Sequence, residues 1–176
     1  NYSCGINYTK YDTIFIMTRR LRTAAAVVLG MHDALVSLTG MIGGLTFALA
    51  ERRMIILSAI IASVAAGLSM GASCYLAEKT NDNPHALRAG AMTGVAYLGT
   101  CAFLIFPFLV VPNTHTALIM SFIMAVVVIF ACNWCIGHAR GRWWQHAFEM
   151  LVICAGVSII SFAIGEVAKY FLGVAI

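Results

Sequence analysis

The chain has 176 residues, 61% of them hydrophobic and only 10% charged, and its mean hydropathy is +0.90. Soluble domains carry about 25% charged residues, so this composition argues against a soluble protein and indicates an integral membrane protein. The formal net charge of +4 is small and is divided between loops, which argues against nucleic acid as a partner.

Five apolar segments follow a mixed aromatic and polar lead-in at residues 1–23. Each is longer than the roughly 20 residues that a spanning helix requires, and short polar stretches connect them. The segments cover residues 24–50, 54–78, 87–111, 116–137 and 145–173. We therefore predict an all-α integral membrane protein with one five-helix transmembrane domain at residues 24–176.

The distribution of lysine and arginine predicts how these helices are oriented. With the N-terminus inside, eight of the 11 basic residues lie on the inner side and three on the outer side. Because inner loops carry the excess of Lys and Arg, we predict the N-terminus inside and the C-terminus outside. The inner set is Lys10, Arg19, Arg20, Arg22, Lys79, Arg88, Arg140 and Arg142, and the outer set is Arg52, Arg53 and Lys169.

Asp33 is the residue on which the functional interpretation depends. If the first span begins near Ala24, Asp33 lies about 14 Å along the helix, close to the middle of a hydrocarbon core about 30 Å thick. A carboxylate at that depth costs about 2.5–3.5 kcal/mol on insertion scales, so it usually faces a bundle interior or an ion path. The structural alternative is a buried carboxylate paired with His32 or capped by Ser37. We predict that Asp33 belongs to an ion pathway.

Two sulfur-bearing residues share one face of the second span. Met70 and Cys74 are four residues apart, and Ser63 and Gly67 lie on the same side. Sulfur ligands beside a carboxylate suit a borderline transition metal such as Fe²⁺ better than Mg²⁺ or Ca²⁺. Methionine is also a common apolar gap-filler, so packing is the alternative interpretation of Met70.

The remaining candidate residues carry weaker signals. Glu166 lies three residues before Lys169, where an ion pair near the helix end competes with a proton-accepting role. Cys132 and Cys135 have a metal-like spacing, but a closed zinc site needs four ligands and no second pair accompanies them. The sequence contains no phosphate-binding loop, nucleophile motif or paired-histidine motif. We therefore predict that the protein is not an enzyme and has neither a catalytic residue nor a tightly bound cofactor.

Small residues recur at helical spacing in the first three spans. This pattern lets helix backbones approach closely, either within one chain or across a dimer. The residues are Gly40 and Gly44, then Ser63, Gly67 and Gly71, then Gly90 and Gly94.

The first two spans contain DALVSLTGMIGGLTFALA at residues 33–50 and AAGLSMGASCYLAEK at residues 65–79. These motifs resemble the vacuolar iron transporter family, whose members typically read D-G-L-[TV]-x-x-x-x-L and then A-G-x-x-S-M-[GA]-x-[GS]-x-Y-[LV]-[AS]. The glycine-rich start of the third span and the ending ISFAIGEVAKYFLG also resemble the family. The likeness covers roughly residues 24–173.

The resemblance implies a five-helix homodimer that exports Fe²⁺, and often also Mn²⁺, from the cytosol in exchange for protons. The pathway would run between the subunits and be lined mainly by the first helix. The family's metal ligands carry over to Asp33 and Met70. His32 and Cys74 stand where the family usually has other residues, and are candidates to replace lost ligands. The membrane would be the inner membrane of a bacterium or a vacuolar-type membrane of a eukaryote.

The sequence departs from the family at three places. Ala62 stands where one branch has a glutamate, eight residues before the motif methionine, and Ala26 stands where an acidic residue precedes the aspartate by seven. The cytoplasmic metal-collecting helices are replaced by eight loop residues at 79–86, as in a branch that lacks them. A non-transporting scaffold or accessory subunit with the family fold is therefore the alternative to a transporter. A thiol redox protein using Cys132 and Cys135 is a third interpretation.

Overall fold

Five long helices connected by short turns make up the computed structural model, which describes residues 8–48, 51–137 and 143–172. Side chains are described at 25–47, 51–134 and most of 144–171, and this part of the chain contains no strand. The predicted all-α fold with five spans is therefore confirmed. The helices are α1 (Tyr8–Ala48), α2 (Arg52–Thr80), α3 (Ala86–Val110), α4 (Thr114–Gly137) and α5 (Trp143–Leu172).

Each helix contains a segment that is long and apolar enough to cross a membrane. α1 is longer than the first predicted segment, because it begins at Tyr8 and continues through residues that we assigned to the lead-in. The orientation of the bundle in the membrane and its assembly into a dimer stay predictions. The spanning segments are Ala25–Phe47, Arg52–Thr80, Ala86–Val110, Thr114–Trp134 and Ala147–Gly165.

Glycines bring α2 and α3 into a tight antiparallel pair. A Cβ atom added at Gly90 would lie 2.6 Å from the main-chain oxygen of Gly71, and one added at Gly94 would lie 3.1 Å from that of Gly67. Only a residue without a side chain allows two backbones to approach so closely. The small-residue stripes of the second and third spans therefore join helices of one chain.

A second close contact joins α1 to α5. A Cβ atom added at Gly44 would lie 3.0 Å from the main-chain oxygen of Ser161, and one added at Gly165 would lie 3.0 Å from that of Gly44. Gly40, one turn earlier on α1, packs against Val157 and Ser161. Because residue numbers increase together along the contact, α1 and α5 run in the same direction.

α3 lies at the centre of the bundle, against α1, α2 and α4. Its side chains Leu104 and Phe108 are fully buried, and Ser121 of α4 donates a hydrogen bond of 2.8 Å to the main-chain oxygen of Leu104. Polar and apolar contacts to three neighbours therefore hold α3 in place.

Side chains cap two of the helix ends, the end of α3 and the start of α4. Arg52 Nε and Nη2 donate hydrogen bonds of 2.7 and 2.8 Å to the main-chain oxygens of Phe108 and Leu109. These carbonyls have no partner within α3, and a positive charge is favourable at the C-terminal end of a helix. Asn113 Oδ1 accepts a hydrogen bond of 3.1 Å from the main-chain nitrogen of His115, and so caps the start of α4.

Replacing Gly90 by alanine should destabilise the bundle. The added Cβ would lie 2.6 Å from the Gly71 oxygen and 2.8 Å from the Tyr75 Cβ, so α2 and α3 would have to move apart. Overpacking of this kind costs about 1–3 kcal/mol. We expect a lower midpoint of thermal unfolding for purified Gly90→Ala protein in detergent.

Gly99→Ala is the matched control for this prediction, because it lies in the same helix and nothing stands within 4 Å of its added Cβ. Alanine is the better helix former by about 1 kcal/mol, so this variant should be as stable as the wild type or more stable. Equal unfolding midpoints for the two variants would contradict the proposed backbone contact.

Candidate functional site

Asp33 is the ninth of the 23 residues in the spanning part of α1, and its side chain is exposed on the surface of the single chain. Ala25, Leu29 and Ser37 are exposed as well. A spacing of four residues places all of them on one side of a helix, and we call these four residues the Asp33 face. The carboxylate is therefore not enclosed within one chain.

Ser37 connects the turn that follows Asp33 to α3. Its Oγ donates a hydrogen bond of 2.7 Å to the main-chain oxygen of Asp33 and lies 3.0 Å from the Tyr97 hydroxyl. Because a serine hydroxyl has a single proton, Tyr97 is the donor in the second bond. The serine therefore holds the main chain of Asp33 rather than its carboxylate.

The Tyr97 hydroxyl continues this polar contact into the bundle. Tyr97 is 3% exposed and Cys101, one turn later on α3, is 1% exposed. The four-residue spacing places the Tyr97 hydroxyl and the Cys101 thiol on one side of α3. Polar side chains of α1 and α3 therefore meet beside the turn that runs from Asp33 to Ser37.

Met70 of α2 lies about one helical turn from the depth of Asp33, towards the α2–α3 loop. It is half-buried and packs against the hydrophobic core. Its neighbour Gly71 packs against Gly90 and Gly94, which precede Tyr97 on α3. At about 1.5 Å per residue, Met70 is therefore roughly 5 Å nearer the α2–α3 loop than Asp33 is.

Cys74 takes part in a junction of three helices rather than in the Asp33 face. Its Sγ accepts a hydrogen bond of 3.3 Å from Thr93 Oγ1. The same hydroxyl lies 3.2 Å from the main-chain oxygen of Ala26 and 2.9 Å from that of Ala89. Thr93 is fully buried, so these contacts tie α1, α2 and α3 together about one turn from Asp33.

His32, the other candidate on α1, does not lie on the Asp33 face. His32 is half-buried, and its enclosed Nε2 makes no hydrogen bond to the part of the chain that the structure describes. As the preceding residue it lies about 100° round the helix, off the Asp33 face. Glu166 belongs to α5, but its side chain lies outside the described residues, as does that of Cys135.

No group of three or more His, Cys, Asp and Glu side chains that could hold a metal occurs among the described residues. A metal ion at Asp33 would therefore take its other ligands from different residue types, from water or from a second chain.

Residues 24–86 match the VIT family. The match includes both motifs and is consistent with a member of this family, as the resemblance predicted. No curated protein matches the chain. At the level of the family, the match indicates membrane transport of metal ions rather than an enzymatic reaction.

Tyr97 and Cys101 lie beyond the residues that match the VIT family, and sequence reasoning did not select them. A signal for them is present, because Thr93, Tyr97 and Cys101 recur at a spacing of four and so form a polar stripe on α3. In an apolar span such a stripe indicates contacts with other polar groups, and here Thr93 contacts Cys74 while Tyr97 contacts Ser37.

Proposed function

We propose that this chain acts as a homodimer that moves Fe²⁺, and also Mn²⁺, out of the cytosol in exchange for protons. The observation that supports this most strongly is the Asp33 carboxylate, which is exposed on the single chain within an apolar span. Ionisable residues at such a depth usually mark ion paths. The match to the VIT family supports transport of a metal ion.

A second copy of the chain is the partner that best covers the Asp33 face. Contact of a carboxylate with lipid costs about 2.5–3.5 kcal/mol or more. Around a two-fold axis each surface patch meets its own copy, so Leu29 and Asp33 would face Leu29 and Asp33 of the other subunit. Two carboxylates would then converge on one seam, and together they would provide the oxygen ligands that one chain lacks.

This arrangement would account for both the choice of metal and the coupling to protons. Carboxylate oxygens favour hard cations, whereas the Met70 thioether favours softer ones, and Fe²⁺ is borderline between them. A carboxylate that holds a proton is a poor metal ligand, so metal and protons would compete for Asp33. With the N-terminus inside, Met70 would be met first from the cytosol and Asp33 second.

Asp33→Asn should abolish transport. The amide has nearly the same size as the carboxylate, but it has no charge and takes up no proton. We expect Fe²⁺ flux into proteoliposomes carrying a pH gradient to fall to that of empty vesicles, while size-exclusion chromatography still shows the dimer.

Asp82→Asn is the matched control for the loss of one carboxylate. Asp82 lies in the α2–α3 loop at a φ of 52°, a conformation that asparagine tolerates, so its flux should equal that of the wild type. Flux of wild-type size in Asp33→Asn would remove Asp33 from the mechanism. If the wild type binds Fe²⁺ and Mn²⁺ no better than Asp33→Asn does, the scaffold alternative is favoured.

Leu29→Cys should produce a cross-linked dimer in native membranes under mild oxidation. Leu29 is 54% exposed and lies one turn before Asp33. Gel electrophoresis without reductant measures the cross-linked dimer. The wild type, treated in the same way, gives the background from the native cysteines. Val95→Cys is the control, since Val95 is 71% exposed on α3 at a similar depth. Equal cross-linking of the two variants would contradict a dimer seam at the Asp33 face.

Met70→Leu should raise the KM for Fe²⁺ several-fold and change the KM for Mn²⁺ less. Leucine keeps the apolar packing of the site, but it lacks the thioether that favours the softer ion. Met54→Leu, at a 51% exposed position near the start of α2, serves as the control. An unchanged ratio of the two KM values in Met70→Leu would assign Met70 to packing alone.

A further inference from the structure

The buried tyrosine of α3 stands out among the polar groups near Asp33. Tyr97 is 3% exposed, yet its hydroxyl lies 3.0 Å from Ser37 Oγ on the exposed face of α1. Its ring packs beside Gly67 of α2, where a Cβ atom would lie 3.3 Å from the ring carbon Cδ1. The ring therefore fills space between helices, while the hydroxyl reaches towards the turn that carries Asp33.

The hydrogen bonds around Ser37 have a defined direction. Ser37 uses its only proton in the 2.7 Å bond to the main-chain oxygen of Asp33, so its lone pairs accept the proton of Tyr97. Removing the tyrosine hydroxyl would leave Ser37 without its link to α3, but it would not remove the bond between Ser37 and Asp33.

The hydrogen bond between Tyr97 and Ser37 is well placed to control the position of the Asp33 carboxylate. A metal site works only when its ligands are held within about 0.5 Å of the productive arrangement by residues behind them. The link from Tyr97 acts on the main chain between Asp33 and Ser37, so it leaves the carboxylate able to exchange one ligand for another. Removal of the groups that orient metal ligands typically lowers metal affinity.

We propose that Tyr97 is a positioning residue for the metal site. Acting through Ser37, it holds the α1 turn from Asp33 to Ser37 against α3, and so sets where the carboxylate stands at the dimer seam. This inference rests on the proposed function, because it assigns to Tyr97 a role in metal binding at Asp33.

Tyr97→Phe tests the proposal, because it removes the hydroxyl and keeps the ring. A hydrogen bond contributes about 0.5–1.5 kcal/mol, which corresponds to a change of about two- to tenfold in a binding constant. We expect the KM for Fe²⁺ in proteoliposomes to rise by that factor, with the maximal rate per folded dimer within about twofold of the wild type. A purely structural hydroxyl would instead reduce the amount of folded protein and leave the KM unchanged.

Tyr75→Phe is the matched control. Tyr75 is a half-buried tyrosine of α2 whose ring lies 5.6 Å from Lys79 Nζ, and its hydroxyl has no bond to the Asp33 turn in the described part of the chain. Its KM should equal that of the wild type.

The route through Ser37 is tested by combining variants. Ser37→Ala should raise the KM as Tyr97→Phe does, and it replaces that variant if Tyr97→Phe does not fold. The double variant should be no worse than Ser37→Ala alone, because residues that act as one unit are not additive. Ser37→Thr retains a hydroxyl and should restore most of the affinity.

Two results would overturn the proposal, and they differ from a failure of the proposed function. If the wild type shows Asp33-dependent flux but Tyr97→Phe keeps the wild-type KM, Tyr97 is not a positioning residue. If the effects of Ser37→Ala and Tyr97→Phe add, Tyr97 does not act through Ser37. If the wild type shows no Asp33-dependent flux at all, the proposed function fails, and the role of Tyr97 fails with it.

Discussion

The cost of placing a carboxylate in hydrocarbon is the constraint on which this structure depends. Asp33 lies within the apolar span of α1, and its side chain is exposed on the surface of the single chain. The recorded hydrogen bond at this turn involves the main-chain oxygen of Asp33 and not its carboxylate. An exposed charge at a depth where it costs free energy is best explained by a ligand or a partner that meets it there.

The glycine contacts help to identify which surface of the chain is left for a partner. Stripes of small residues often form the contacts between transmembrane chains. Here Gly67, Gly71, Gly90 and Gly94 are used between α2 and α3, and Gly40 and Gly44 are used between α1 and α5. Since these stripes form contacts within one chain, the Asp33 face is left exposed, and it is the surface that the proposed dimer would cover.

The fold was predictable from the sequence because apolar length alone defines a spanning helix, and short polar loops separate the five segments. The start of α1 was not, since a helix that begins at Tyr8 continues through polar residues that carry no hydropathy signal. For the site, depth arithmetic and motif resemblance selected Asp33 and Met70. They did not select Tyr97, because its contact with Ser37 joins residues 60 positions apart and depends on how α1 packs against α3.

Cys74 and Tyr97 show that the role of a polar side chain in this bundle depends on its distance from Asp33 along α1 more than on its residue type. Both meet α1 through a hydroxyl, since Thr93 lies between Cys74 and Ala26 whereas Tyr97 itself reaches Ser37. The first contact lies one turn away from Asp33 and holds three helices together. The second lies at Asp33 and fixes the main chain while leaving the carboxylate exposed. The proposed transport site would need this combination, because its ligand would have to stay in place while its oxygens release one ion and accept another.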